Sequence, residues 1–272
     1  MKPLTLEEIH CETLRLYMML DSICNQLNID CFVIYGTLIG AVRHKGYIPW
    51  DDDFDVIMKR PDYDRFCNYC KSNDLGHYYL CNGFEDYEQG FTISRFCDLR
   101  YRYFGLDNLE NPKLGLFIDI YPLDGLGNSE KDFNYVRRKK KILIKFLNLA
   151  YSKQLADFKK GVLYGIGRIG AYLYAHLRGV HYWIKKIGEL KNKYDFNTSE
   201  NVGVIIWDYK IRCYKKKWFE EGIVVPFENK YVKCPKCYDE ILRCGYGDYM
   251  ILPPLEERLA YHQYHIYRKE NE

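Results

Sequence analysis

The residues best suited to chemistry form an acidic run, Asp51-Asp52-Asp53-Phe54-Asp55, that leads into an apolar stretch. Side chains alternate faces along a β-strand, so a strand over residues 51–58 would place Asp51, Asp53 and Asp55 on one face. Two carboxylates about 4 Å apart repel by about 4 kcal/mol at an effective dielectric constant of 20, and a bound cation would offset that repulsion. Magnesium is the expected cation, with manganese as the alternative, because magnesium takes oxygen ligands and combines one or two carboxylates with phosphate oxygens.

A further acid, Asp119, lies within the otherwise apolar segment from Phe117 to Leu123. An unpaired carboxylate in such a strand is costly, so Asp119 requires a metal ion or a basic partner. We therefore predict that Asp119 supplies the third metal ligand from a neighbouring strand. Two other interpretations stay open at this point: the acidic run could be a calcium loop or a helix cap, and Asp119 could be a hydrogen-bonded core residue.

A glycine and a threonine, Gly36-Thr37, follow the apolar run from Cys31 to Tyr35 and precede a short helical stretch. Glycine lets backbone N–H groups approach a phosphate closely, threonine adds a hydroxyl, and a helix N-terminus carries partial positive charge. The pair is therefore a candidate phosphate-binding turn, placed one strand before the acids.

The elements that must position these residues are helices and short strands. Thr5 and Glu8 form a capping-box pattern, and apolar residues at helical spacing continue as far as Asn28. Apolar runs and turn residues predict adjacent strands at 31–35 and 51–58, further strands at 78–81, 92–103 and 116–121, helices at 61–73, between 131 and 195 and at 238–244, and a closing helix from Leu255.

The composition is that of an ordinary globular protein. Hydrophobic residues make up 47% and charged residues 28% of the 272 residues, which excludes a disordered chain, a collagen-like repeat and a coiled coil. The eleven cysteines, an odd number in a long chain, favour reduced thiols. No secretory pattern opens the sequence, and no uncharged run approaches the roughly 18 residues of a bilayer span, so we expect a cytoplasmic protein.

The charge is unevenly distributed along the chain. Residues 131–217 contain 21 Lys and Arg against six Asp and Glu, whereas the remaining residues contain 19 against 31. The basic run at 137–141 and the apolar residues after it could contact an anionic membrane, at the inner face of the cell membrane, or could be a solvated helix face. We expect a catalytic core with an N-terminal helix at 1–127, a basic helical region at 128–217, and a C-terminal segment at 218–272 that packs on the core.

A Gly-Thr pair one strand before an Asp-x-Asp resembles the signature of the nucleotidyltransferase fold shared by DNA polymerase beta. The whole stretch from Tyr35 to Asp55 resembles more closely the hallmark of the LicD family, the bacterial phosphorylcholine transferases, to which fukutin-related glycan-modifying proteins are similar. Residues 117–125 and 246–258 agree with that family as well. The resemblance implies an α+β fold with a polymerase-beta-like mixed sheet flanked by helices, and a helical insertion.

The resemblance also implies an activity: transfer of phosphocholine, or a related phospho-alcohol, from CDP-choline or another CDP-alcohol to a sugar hydroxyl of a cell-surface glycan precursor, with release of CMP. The acceptor could be lipopolysaccharide, teichoic acid or another polysaccharide precursor, including a lipid-linked one, and no nucleic acid is involved. By this resemblance Asp53 and Asp55 hold magnesium, Asp119 is the third ligand or the base, and Asp51 supports them. The implied phosphate and substrate contacts are Gly36, Thr37, Arg43, His44 and Lys45.

The chain departs from the family pattern on the central strand. Members often carry a Lys-x-x-Asp element before a Thr, whereas this chain has Arg95 and Asp98, with Tyr101 at the position of the Thr. Arginine can bind phosphate bidentately where lysine acts as a point charge, so Arg95 and Asp98 remain candidate substrate contacts. Two other functions stay open: nucleotidyl transfer from a nucleoside triphosphate, and an inactive scaffold in glycan assembly.

Overall fold

The chain folds into two units, and the structure, a computed structural model, describes residues 2–82, 93–105, 108–155, 161–206, 211–259 and 264–269. The first unit combines residues 1–123 with residues 214–272, and the second unit consists of residues 124–213. Both units mix helices with strands, as an α+β protein does.

The helices and strands are numbered here in chain order. The helices are α1 (Leu6–Gln26), α2 (Tyr35–Ile39), α3 (Arg60–Ser72), α4 (Glu130–Tyr151), α5 (Val162–Glu189) and α6 (Tyr238–Tyr246). The strands are β1 (Cys31–Val33), β2 (Asp55–Lys59), β3 (Tyr78–Cys81), β4 (Ser94–Asp98), β5 (Tyr101–Phe104), β6 (Glu110–Asn111), β7 (Leu116–Gly125), β8 (Asn201–Gly203), β9 (Tyr214–Lys215), β10 (Gly222–Phe227), β11 (Lys230–Pro235) and β12 (His265–Arg268).

A mixed sheet in the order β1-β2-β7-β4-β3 organises the first unit. Strand β2 runs antiparallel to β1 and parallel to β7, while β4 runs antiparallel to both β7 and β3. All ten residues of β7 are buried, as a strand in the middle of a sheet requires. The parallel β2–β7 pair therefore brings residues that are more than 60 positions apart in sequence into the interior side by side.

The predicted N-terminal helix is confirmed together with its capping box. The hydroxyl of Thr5 accepts a hydrogen bond from the Glu8 backbone, and the Glu8 carboxylate accepts one from the Thr5 backbone. The apolar stripe of α1 is buried, including Leu16, Leu20 and Ile23. Helical spacing of apolar residues is enough to predict such an element, because the buried face repeats every three to four positions.

The connection from β1 to β2 begins with a tight turn into a helix. Tyr35 adopts a left-handed conformation with φ 51°, and α2 then continues into one π-helical turn over Gly40–His44. Lys45 ends that turn, also in the left-handed region with φ 60°. Single π-turns occur frequently at functional sites, because they change the direction in which side chains point.

Two strand predictions and the closing helix need correction. Strand β2 begins at Asp55, so residues 51–54 precede it without regular structure. The strand predicted at 92–103 is two strands, β4 and β5, separated by a turn at residues 99–100, and Thr92 lies outside the described residues. The helix expected from Leu255 is wrong, because Leu255–Glu257 forms only a 3-10 turn and β12 follows, paired with β5.

The second unit contains a long helical hairpin formed by α4 and α5. Ser129 and Asp132 form a capping box at the start of α4. Phe146 of α4 stacks on Trp183 of α5, with ring centroids 4.7 Å apart. Helix α5 bends at Gly179, which has φ 74° and ψ 161°. Within the described residues, none of the helices combines the length and the apolar character needed to cross a bilayer.

We expect the substitution Gly40→Ala to destabilise the fold. A Cβ at position 40 would collide with the backbone carbonyl oxygen of Gly46 and lie 3.3 Å from the backbone nitrogen of Ile48, and backbone atoms cannot swing aside. Overpacking of this kind costs about 1–3 kcal/mol of unfolding free energy. Thermal unfolding followed by circular dichroism measures the change.

Gly167→Ala in α5 is the matched control, because a Cβ there meets nothing within 4 Å. Alanine in a helix is favoured over glycine by about 0.5–1 kcal/mol, so this control variant should unfold at an equal or higher temperature. Equal stability of the Gly40→Ala variant and the wild type would contradict the expected collision.

Candidate active site

Two acidic side chains lie next to each other at the centre of the first unit. Asp55 is the first residue of β2, and it is in register with Asp119 of the parallel strand β7. Both residues are about 5% exposed. Because residues in register on neighbouring strands lie about 5 Å apart and point to the same face, the two carboxylates share one small volume.

The Asp55 carboxylate is placed where its charge is disfavoured. Burial raises the pKa of Asp55 well above the usual range, and the negative charges of Asp53, Asp119 and Asp51 raise it further. The Tyr121 side chain forms a hydrogen bond with this carboxyl group. The Oδ1 atom of Asp55, however, is buried and has no hydrogen-bond partner among the described residues. An orphaned carboxylate oxygen surrounded by acids is a suitable ligand for a cation.

Asp119 is balanced by a basic partner. The Nε of Arg95 donates a hydrogen bond of 2.8 Å to Oδ1 of Asp119, from the position directly opposite on β4. The Arg95 guanidinium carbon also lies 4.0 Å from the centre of the Phe117 ring. The sequence left a basic partner open as one of the two ways to satisfy Asp119, and Arg95 supplies it.

The Gly36-Thr37 pair brings the acids and α2 together. The backbone N–H of Asp55 donates a 2.9 Å hydrogen bond to the Thr37 hydroxyl, which is buried. A Cβ on Gly36 would lie 2.5 Å from an oxygen of the Asp51 carboxylate, so only glycine permits this approach. In this structure the pair fastens the acidic segment to α2, and a phosphate contact of Gly36 and Thr37 stays a prediction.

The segment before β2 is held by side chains from distant parts of the chain. The Asp51 carbonyl oxygen lies 2.6 Å from Nε2 of His10, and the Tyr264 hydroxyl donates a 2.7 Å hydrogen bond to the Asp52 carbonyl oxygen. Phe54 is fully buried, in contact with the rings of neighbouring aromatic residues. His10 and Tyr264 were missed by the sequence reasoning, since neither belongs to a local motif that contains the acids.

The predicted ligand set of Asp51, Asp53, Asp55 and Asp119 is not gathered into one cluster. Within the ranges that the structure describes, no three His, Cys, Asp or Glu side chains come close enough together to hold a metal ion. Residues 51–54 are not part of a strand, and Arg95 binds one oxygen of Asp119. Magnesium requires only one or two protein carboxylates beside water and phosphate oxygens, so the Asp55 and Asp119 pair still fits this ion.

Basic side chains follow α2 on the π-turn. Nη1 of Arg43 donates a 2.6 Å hydrogen bond to the carbonyl oxygen of Tyr249, and its Nε donates to Nε2 of His44 at 3.0 Å. Burial and the nearby Arg258 lower the pKa of Arg43, while burial and Arg43 lower the pKa of His44. The structure therefore brings the guanidinium groups of Arg43 and Arg258 near each other and ties Arg43 to the C-terminal part of the first unit.

Lys45 differs from these two residues, because its side chain is exposed and its backbone ends the π-turn. The Lys45 carbonyl oxygen accepts a 2.8 Å hydrogen bond from the Glu228 backbone. Substrate contacts of Arg43, His44 and Lys45 stay predictions.

A family model described as "LicD/FKTN/FKRP, nucleotidyltransferase domain" matches residues 28–162, a range that contains both Asp55 and Asp119. The chain belongs to this family. The lipopolysaccharide cholinephosphotransferase LicD of Haemophilus influenzae is 29% identical over 269 residues, which cover 96% of this chain and 97% of that protein. An uncharacterized protein of Rickettsia prowazekii is 29% identical over 130 residues, or 39% of this chain and 48% of its own length.

In this LicD-family chain, Arg95 and Asp98 have different partners and different structural roles. Arg95 binds Asp119, whereas Asp98 pairs with Leu116 three positions away along β7. The Asp98 carboxylate accepts hydrogen bonds from the backbone and the guanidinium of Arg100 at 2.6–3.2 Å. The structure thus gives Asp98 a turn-forming role between β4 and β5, and it does not bring Asp98 to the Asp55 and Asp119 pair.

The two neighbouring acids should respond to neutralisation in opposite directions. With EDTA present at pH 8, we expect Asp55→Asn to raise the free energy of unfolding by about 1 kcal/mol, since it removes a repelled, buried charge. We expect Asp119→Asn to lower that free energy by about 3 kcal/mol, because it removes the carboxylate charge with which the buried Arg95 guanidinium pairs. Urea denaturation of both variants, with the wild type as reference, provides the comparison, and a shift of both variants in the same direction would contradict the charge arrangement described above.

Proposed function

We propose that this chain transfers phosphocholine from CDP-choline to a sugar hydroxyl of a lipopolysaccharide precursor and releases CMP. The observation that carries the proposal is the buried Asp55, with its orphaned oxygen, beside Asp119 on the parallel strand. Similarity to the Haemophilus influenzae cholinephosphotransferase over 96% of the chain supports the substrate class. We infer a nucleotidyltransferase-type sheet from the same family match and from the parallel pairing of the two acidic strands.

The proposed metal ion is magnesium, held by Asp55 and Asp119 with support from Asp53 and Asp51. When bound, it would neutralise the diphosphate charge that an incoming hydroxyl oxygen has to approach. Asp55 suits this role because no Lys or Arg forms an ion pair with its carboxylate within the described part of the chain, in contrast to Asp119, which pairs with Arg95.

In the proposed reaction the hydroxyl oxygen of the sugar attacks the phosphorus atom that bears choline. The new oxygen–phosphorus bond forms as the bond to the bridging oxygen of the diphosphate breaks, and CMP leaves with that oxygen. Asp119 is the proposed acceptor for the hydroxyl proton, since Arg95 fixes its carboxylate on the central strand. Arg43 is proposed to position the anionic donor through its positive charge, and His44 is proposed to position the Arg43 guanidinium, from which its Nε2 accepts a hydrogen bond.

Asp53 and Asp55 are the residues whose loss should abolish transfer. With CDP-choline, magnesium and a lipopolysaccharide acceptor, we expect Asp53→Asn and Asp55→Asn to release CMP at least about 100-fold more slowly than the wild type, because repulsion of the donor phosphates is then uncompensated. Chromatography with mass detection of CMP and of the modified acceptor measures the rate. Asp74→Asn is the matched control, since Asp74 lies in an exposed turn where, among the described residues, it accepts a hydrogen bond from Gly76, and it should leave the rate unchanged.

Nucleotidyl transfer is the second candidate, favoured by the description of the matching family model. If the protein released pyrophosphate from CTP but released no CMP from CDP-choline, its reaction would be nucleotidyl transfer and not the proposed phosphocholine transfer. Ligand binding gives a readout that does not depend on turnover: CDP-choline with magnesium, at 100 times its dissociation constant, should stabilise the wild type by about 2.7 kcal/mol. Absence of any stabilisation by either nucleotide would indicate a scaffold that does not bind the donor.

A further inference from the structure

The helical hairpin of the second unit presents aliphatic side chains to solvent. Leu163, Ile166, Leu173 and Leu177 of α5 are 87%, 59%, 59% and 84% exposed. They follow each other at intervals of three, seven and four residues, which puts them on one face of the helix over about 21 Å. This aliphatic stripe lies on the part of α5 before the bend at Gly179.

The stripe is a stable feature of the surface, because other residues of the hairpin hold the two helices together. Phe146, Tyr174 and Trp183 form an aromatic cluster between α4 and α5, with ring centroids 4.7–5.7 Å apart. The indole N–H of Trp183 also donates a 3.1 Å hydrogen bond to the carbonyl oxygen of Ala175. The leucines of the stripe are therefore not needed for packing of the hairpin.

Positive charge is abundant near these aliphatic residues in sequence, and an exposed face of the partner helix α4 also carries it. Residues 133–188 contain 13 Lys and Arg but only one acid, an Asp. On α4, the exposed residues Arg138, Lys141, Ile142 and Lys145 occupy positions that share one helix face, so an apolar side chain lies among three cations. The hairpin thus combines exposed aliphatic groups with strong positive charge.

We propose that this hairpin docks on the surface of an anionic lipid bilayer. A helix with an apolar stripe and flanking Lys and Arg residues lies in the interface, where the stripe enters the acyl boundary and the cations meet lipid phosphates. A second copy of the chain is disfavoured as the occupant, since two such hairpins would repel each other. Nucleic acid is also disfavoured, because it offers no apolar layer for four exposed aliphatic side chains. This surface is distinct from the acidic site, and the proposal does not depend on the proposed activity.

Sedimentation of the full chain with sucrose-loaded vesicles tests the proposal. We expect binding to vesicles of two parts phosphatidylcholine and one part phosphatidylglycerol, weakened by high salt, and little binding to pure phosphatidylcholine. Leu163→Gln/Leu177→Gln should lower the partition coefficient about tenfold or more. Arg138→Gln/Lys141→Gln/Lys145→Gln should lower it roughly 100-fold.

Matched controls separate the hairpin from general surface properties. Leu109→Gln/Val224→Gln removes two apolar side chains that are 67% and 66% exposed in the first unit. Lys215→Gln/Lys217→Gln/Lys230→Gln removes the same charge at exposed positions there. Both controls should sediment with vesicles like the wild type, and circular dichroism should show all variants folded.

Three results would overturn the proposal. In the first, the hairpin variants and the control variants lose vesicle binding to the same extent. In the second, the wild type does not bind vesicles at all. The third is evidence of another occupant, given by tighter binding to duplex DNA than to vesicles or by a dimer in light scattering that only the Leu163→Gln/Leu177→Gln variant dissociates. Either finding would assign the stripe to a different occupant.

Discussion

Two carboxylates held side by side in a protein interior repel each other, and contacts of the first unit hold them in place despite that repulsion. Asp55 and Asp119 are fixed by the register of β2 on β7, and neither strand can shift without exposing buried neighbours. Arg95 compensates one of the charges, while the other carboxylate keeps an unsatisfied oxygen. Natural proteins retain such a cost chiefly at functional sites, which makes this pair, rather than the acids before it, the centre of the candidate site.

Local signals in the sequence were enough to predict the N-terminal helix and to single out the acids on β2 and β7. The capping box at Thr5 and the spacing of apolar residues determine α1, because both depend only on neighbours three or four positions away. The hallmark stretch from Tyr35 to Asp55 likewise lies within one strand-helix-strand connection. Asp55 and Asp119 could be paired in advance, since acids inside apolar strands require a shared solution.

The features that the sequence did not predict depend on contacts between distant segments, and no local pattern in the sequence encodes those contacts. The loop before β2 is kept out of the sheet by hydrogen bonds from His10 and Tyr264, which are 41 and 212 residues away from their partners. The strand predicted over residues 51–58 therefore begins only at Asp55, because tertiary contacts override the local pattern before it. In the same way, the sequence does not encode the pairing of Arg95 with Asp119, because this contact depends on the placement of β4 beside β7.

The hydrogen bond from Arg43 to the Tyr249 carbonyl oxygen joins positions 206 residues apart, and Tyr264 reaches back to Asp52 over a similar span. During synthesis, the segment with the acids leaves the ribosome long before either partner exists. The nascent polypeptide therefore carries its acidic loop and its arginine without the groups that orient them. This arrangement can form only after residues 249 and 264 have been synthesised, so a product that stops before them would hold the motif without it.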